Sequence, residues 1–123
     1  MTYLVDVSAL VARLIAGHTD NAKVSGWMPG KKLALCPIVE LGFLRVAGAA
    51  YGASPDQARA ALADFKQRNT PVWIPCDLSP LEGAVWPNWK KSTDWYLANL
   101  AEAHGMKWAT LDSQAEHPAA ELI

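Results

Sequence analysis

Short apolar runs that stop at a polar residue, each followed by a stretch of helical periodicity, recur along this chain and leave little choice of fold. Tyr3, Leu4 and Val5 stop at Asp6, and Leu10, Val11, Leu14 and Ile15 then fall at helical spacing over 8–16. A second helical segment, 20–28, ends where Pro29-Gly30 turns the chain. The apolar run 33–36 leads into Pro37, which suits a first helical turn. Ile38, Leu41 and Leu44 continue that helix, and Gly42, Ala47 and Gly48 let it pack closely on a neighbour. Ser54-Pro55-Asp56-Gln57 opens a fourth helix with an N-cap serine, a proline at the first helical position and a capping-box partner, and the helix reaches about Asn69. Residues 72–74, bracketed by Pro71 and Pro75, read as a short strand near a sheet edge. A last helix over 93–104 ends at Gly105 and feeds a strand at 106–111, and the tail adds a final strand at 121–123. Only 76–91, with Pro80, Pro87 and two tryptophans, carries no clear pattern.

Strands alternating with helices predict a parallel sheet covered on both faces. At 123 residues the chain forms one domain, 1–123. Its apolar runs fall short of the ~20 residues that cross a bilayer, and its N-terminus meets an acid before any basic region, which predicts a cytoplasmic protein without a membrane partner. Cys36 and Cys76 stand far apart in sequence with no second pair, as free thiols in a reducing compartment would.

Against this alternation, four acids occupy equivalent places. Asp6 closes the first strand, Glu40 and Asp94 open helices, and Asp112 closes the strand at 106–111. Strand ends and helix starts share one edge of a parallel sheet, where such folds bind ligands. A helix of about 12 residues spans ~18 Å and a strand of about five spans ~17 Å, so the last unit returns Asp112 to the edge where Asp94 begins. Singly, each acid has an ordinary explanation. Asp6 caps a helix, Asp112 turns with Ser113, and Glu40 and Asp94 gain about 0.3–1 kcal/mol each from a helix N-terminus. Their convergence is what those explanations leave over. Two carboxylates ~4 Å apart repel by roughly 4 kcal/mol at an effective dielectric of ~20, so a cluster calls for a cation. A hard ion such as Mg²⁺ or Mn²⁺ takes oxygen ligands, one or two carboxylates directly and others through water. It would orient and polarise a phosphate, which points to phosphodiester hydrolysis. The net charge is −1, and setting the four acids aside leaves a +3 body suited to a polyanion.

Asp6-Val7-Ser8, Glu40-Leu41, Thr93-Asp94-Trp95-Tyr96-Leu97 and Ala109-Thr110-Leu111-Asp112, in this order and spacing, resemble the PIN-domain pattern, and within it the VapC-type toxin ribonucleases. The resemblance covers essentially the whole chain. It implies a three-layer α/β/α fold with a central parallel sheet of order 3-2-1-4-5. It also implies a Mg²⁺ or Mn²⁺ site made by Asp6, Glu40, Asp94 and Asp112, cleavage of single-stranded RNA, a homodimer, and a small antitoxin that blocks the site, often with a basic side chain. Ser8 and Thr110 would be hydroxyls that orient the carboxylates. The chain departs from the pattern at Trp95 and at Ser113-Gln114-Ala115, where relatives carry a small residue and an acid or aromatic. Arg45 is a candidate phosphate contact beside its ordinary reading as a surface arginine. Lys90 and Lys91 either flank an RNA path or are simply solvated. Trp86, Trp89 and Trp95 either stack bases or pack. His18, His104 and His117 have no ligand-like spacing. A receiver domain needs paired acids after the first strand, and a haloacid-type phosphatase needs a second acid where Ser8 stands. The non-enzymatic alternative is a degenerate PIN module that binds RNA or protein without cutting.

Overall fold

A computed structural model describes residues 1–123. Five strands form one sheet: β1 (Thr2–Val5), β2 (Lys32–Leu35), β3 (Val72–Trp73), β4 (Lys107–Thr110) and β5 (Ala120–Leu122). Their order is β3-β2-β1-β4-β5 and every pairing is parallel. This is the sheet implied by the resemblance. The helices between them are α1 (Val7–Leu14), α2 (Asn21–Trp27), α3 (Pro37–Tyr51), α4 (Pro55–Asn69) and α5 (Ser92–Ala103), with a 3₁₀ turn at Trp89–Lys91. None is long and apolar enough to cross a membrane.

Local chemistry sets the boundaries. Asp6 caps α1 by accepting the Val7 N–H at 2.8 Å. The reciprocal box at α4 is complete, Gln57 N donating to Ser54 Oγ at 3.1 Å and Ser54 N to Gln57 Oε1 at 2.9 Å. Gly52, at φ 68°, closes α3 in the left-handed region. β3 is an edge strand of two residues, because Pro71 and Pro75 deny it further ladder donors, although Ile74 N still reaches Leu35 O at 3.0 Å.

β1 lies at the centre between β2 and β4, and Leu4, Val5, Leu35 and Trp108 on these three strands are fully buried, as strands covered on both faces require. The patternless 76–91 stretch crosses the surface as a strap tied to α5. Tyr96 Oη donates to Leu78 O at 2.7 Å, and Asn99 pairs with Ala84 like a short piece of strand, accepting from its N–H at 3.1 Å and donating to its C=O at 2.9 Å. Both cysteines are free thiols, Cys36 buried and Cys76 half-buried, and burial pushes the Cys36 thiol up to about 11.

Candidate active site at the carboxyl edge of the sheet

Asp6 is the most firmly held of the acids. It follows β1, is 4 % exposed, and both of its oxygens are occupied by donors. Oδ1 accepts the Val7 N–H at 2.8 Å, and Oδ2 accepts the Ser8 hydroxyl and the Thr110 hydroxyl, each at 2.9 Å. Thr110 ends β4, so this bond fastens the central strand to its neighbour at their carboxyl ends. Its hydroxyl also accepts the Asp112 N–H at 3.1 Å, placing the last acid. The Trp108 indole N–H is fully buried without a well-aligned partner and adds a weaker positive influence on Asp6. Burial outweighs these donors and raises the Asp6 carboxyl above its ordinary range.

Asp94, in the first turn of α5, stands in the field of its neighbours. Its pKa is raised from 3.8 to about 6, first by burial and then by the Asp6 and Asp112 charges, against a lowering by Lys91. Asp112 is held low instead. The Gln114 N–H donates to its Oδ1 at 2.9 Å, and the Lys91 ammonium lies 3.0 Å from its Oδ2. Three aspartates and one lysine therefore share this edge, the lysine serving as the cation already in place.

Glu40 is not brought to them. It lies in the first turn of α3, but two residues are ~200° of helix, so it points away from Gly42. Gly42 faces the site: a Cβ there would come within 2.6 Å of Val7 Cγ2. Glu40 instead turns to α4, where Lys66 Nζ approaches its Oε2 at 2.7 Å and also lies 4.7 Å from the centre of the Trp73 ring. Arg45, five residues beyond Glu40 and so about 140° around the helix, projects from α3 into a furrow with Val7, Ile38, Leu41 and Thr93. Trp95 is buried against His117, whereas Trp89 is 77 % exposed. Lys91 is the member the sequence conveyed least plainly. Its signal was the i,i+3 spacing to Asp94 across a helix start.

The donors suit a hard cation: three carboxylates, one of them raised to about 6 by burial and then by the charges of the other two. As they stand, no three acidic, histidine or cysteine side chains enclose a single point. Lys91 pairs with Asp112, and an ion that keeps most of its waters needs only one or two carboxylates in direct contact.

No protein-family model matches the chain. Its fold is shared with the structure described as VapBC2 from Rickettsia felis bound to a DNA fragment from their promoter, at a TM-score of 0.67 and 14 % identity, over 100 % of this chain and 99 % of that one. Sequence relatives are nearer. Ribonuclease VapC29 of Mycobacterium tuberculosis is 29 % identical over 122 residues, covering 95 % of this chain and 90 % of the relative. Ribonuclease VapC44 of the same species is 32 % identical over 125 residues, covering 91 % and 87 %. With that identity along nearly the whole length of both chains, on a sheet of this order, the protein belongs to the VapC-type PIN-domain family.

Proposed function

We propose that this protein is the toxin of a type II toxin–antitoxin pair, an endoribonuclease that hydrolyses phosphodiester bonds in RNA with Mg²⁺ or Mn²⁺. What supports the reading is that Asp6 and Asp112 follow β1 and β4 while Asp94 opens α5 at the same carboxyl edge, where burial first, and then the Asp6 and Asp112 charges, raise Asp94 to about 6. Asp6 and Asp94 would hold the ion, and Asp112 would act directly or through water. Glu40, engaged by Lys66, stays outside. When bound, the ion would polarise the scissile phosphate and lower the pKa of a nearby water. Ser8 and Thr110 fix the Asp6 carboxylate so that its orientation does not change as charge builds up at the site. Arg45, across the furrow, would bind a non-bridging phosphate oxygen.

The relatives named as ribonucleases support the RNA substrate, and the neighbour described as a VapBC complex supports a small antitoxin partner. Lys91 shows how a basic side chain can occupy this edge, and an antitoxin residue would do the same from outside. A homodimer and a cytoplasmic location belong to the same reading.

Induction in a bacterial host tests it. The wild type should arrest growth and fragment RNA, and Asp6→Asn should do neither. With purified protein, Mn²⁺ should support cleavage that EDTA stops and that Asp94→Asn lowers by at least 100-fold, on the order of the loss when a positioned catalytic group is removed. RNA binding that persists in EDTA, with no cleavage under any metal, would instead identify a non-catalytic module.

A further inference from the structure

The acids lie beside a furrow that extends well beyond them, formed by three adjoining cavities. At one end, about 220 Å³ is lined by Ile38, Pro80, Trp86 and Tyr96. Ile38 and Thr93 pass from it into a middle section of about 160 Å³, bounded by Val7 and Gly42. Leu41 and Arg45 lead on into about 360 Å³ between α3 and α4, with Leu44, Ala58 and Arg59. The middle section lies at the reaction edge, since Val7 follows Asp6 and Thr93 precedes Asp94.

Resting on the ribonuclease reading, we infer that this furrow is the track for single-stranded RNA on both sides of the cut, with Trp86 stacking a base at one end and Arg45 and Arg59 taking phosphates at the other. A strand cut in its interior must leave the carboxylates in two directions, and the furrow runs both ways from them. Both arginines are exposed, and neither forms an ion pair or a side-chain hydrogen bond, so their donors are open to phosphate. Glu40, which lines a neighbouring hollow with Arg59, is already paired with Lys66. The floor between them is apolar, with Leu41 68 % exposed, and suits the faces of ribose and base. Trp86 is half-buried, so its ring is held in place while part of it remains open to a base. An acidic peptide would fit the arginine end, but the indole beyond the carboxylates and the cut between the two ends favour a nucleic acid.

The test uses the whole protein in EDTA, where nothing is cleaved, and a fluorescein-labelled single-stranded RNA of about 12 nucleotides. Anisotropy is read over a series of salt concentrations. Arg59→Gln should weaken binding severalfold and reduce the slope of log K against log salt by about 0.7, the loss of one phosphate contact. Trp86→Ala should weaken binding about fivefold or more, and Trp86→Phe should recover most of it. Unchanged circular dichroism and melting temperature establish that the variants fold. Wild-type affinity and salt slope in both Arg59→Gln and Trp86→Ala overturn the track. If wild type still cleaves RNA in Mn²⁺, the ribonuclease reading survives that result; a wild type that neither binds nor cleaves RNA removes both. An acidic, leucine-rich peptide whose binding depends on Arg59 while RNA affinity does not would make the furrow a peptide site and also overturn the proposal.

Discussion

Asp94 carries the electrostatic cost of the acidic edge. Its folded pKa of about 6 exceeds the ordinary 3.8, so the native state holds this proton more tightly than the unfolded chain does. Raising the pH from about 4 to 6 therefore removes stability from the metal-free protein, and the loss persists at neutral pH. Asp94→Asn should restore about 1 kcal/mol at pH 7, a figure reduced from the full linkage value because the side chain is only half-buried. Thermal melts in EDTA at pH 4.5 and 7 check this: the variant should gain at the higher pH and little at the lower one. Lys91 offers a second residue-scale test. It is a cation 3.0 Å from Asp112, so a divalent ion entering the site must compete with it. Lys91→Gln should tighten Mg²⁺ binding about two- to fivefold by calorimetry, the scale of an exposed ion pair. Glu40→Gln, by contrast, should leave Mg²⁺ affinity unchanged and cost about 1 kcal/mol of stability, since it disturbs a partly buried contact with Lys66.

At the scale of elements, the strands and helices were legible because each rests on local signals: the Ser54-Gln57 box, Pro37 at a helix start, Gly105 after a helix. The strap over 76–91 was not, because a distant side chain determines its path. Asn99 pairs with both polar groups of Ala84, and Gly83, at φ 83°, must lack a Cβ because one would meet Asn99 Cγ at 2.6 Å. His117 completes the clamp. Its Nδ1 accepts the Ala119 N–H at 3.0 Å, so Nε2 carries the proton and donates to Asn99 Oδ1 at 2.7 Å. A second ring proton would confront the Ala119 N–H, and burial holds the His117 pKa below 6.5. The unfolded chain thus takes up that proton more readily, and stability should fall as pH drops through 6.5, a dependence that His117→Gln should flatten in denaturant titrations. Asn99→Ala should cost about 2 kcal/mol and speed amide exchange across the strap before the rest of the protein, because it leaves buried groups unpaired.

For the whole molecule, sheet order turns distant residues into neighbours. β1 lies between β2 and β4, so Asp6 and Thr110 bond although 104 positions separate them. The topology was readable from the strand–helix alternation, and with it the placement of Asp6 and Asp112 after β1 and β4 and of Asp94 at the start of α5. The rotation of α3 was harder to read. A helix start tells which edge a residue reaches but not which way it points, and the deciding contact is Gly42 on Val7, between elements far apart in the chain. That contact makes packing and chemistry inseparable. Val7 donates to Asp6, its β-branched side chain has few rotamers into which to withdraw, and a Cβ at position 42 would come within 2.6 Å of its Cγ2. Gly42→Ala, which favours an isolated helix, should therefore destabilise the fold by about 1–3 kcal/mol through overpacking. It should also displace the Asp6 end of α1, lowering Mg²⁺ affinity as well as the melting temperature. Val7→Ala in the same chain should recover much of both by opening the space that the added methyl requires. If the double variant regains its melting temperature but not its affinity for the ion, α1 does not set the position of Asp6, and the close approach of the two helices serves packing alone.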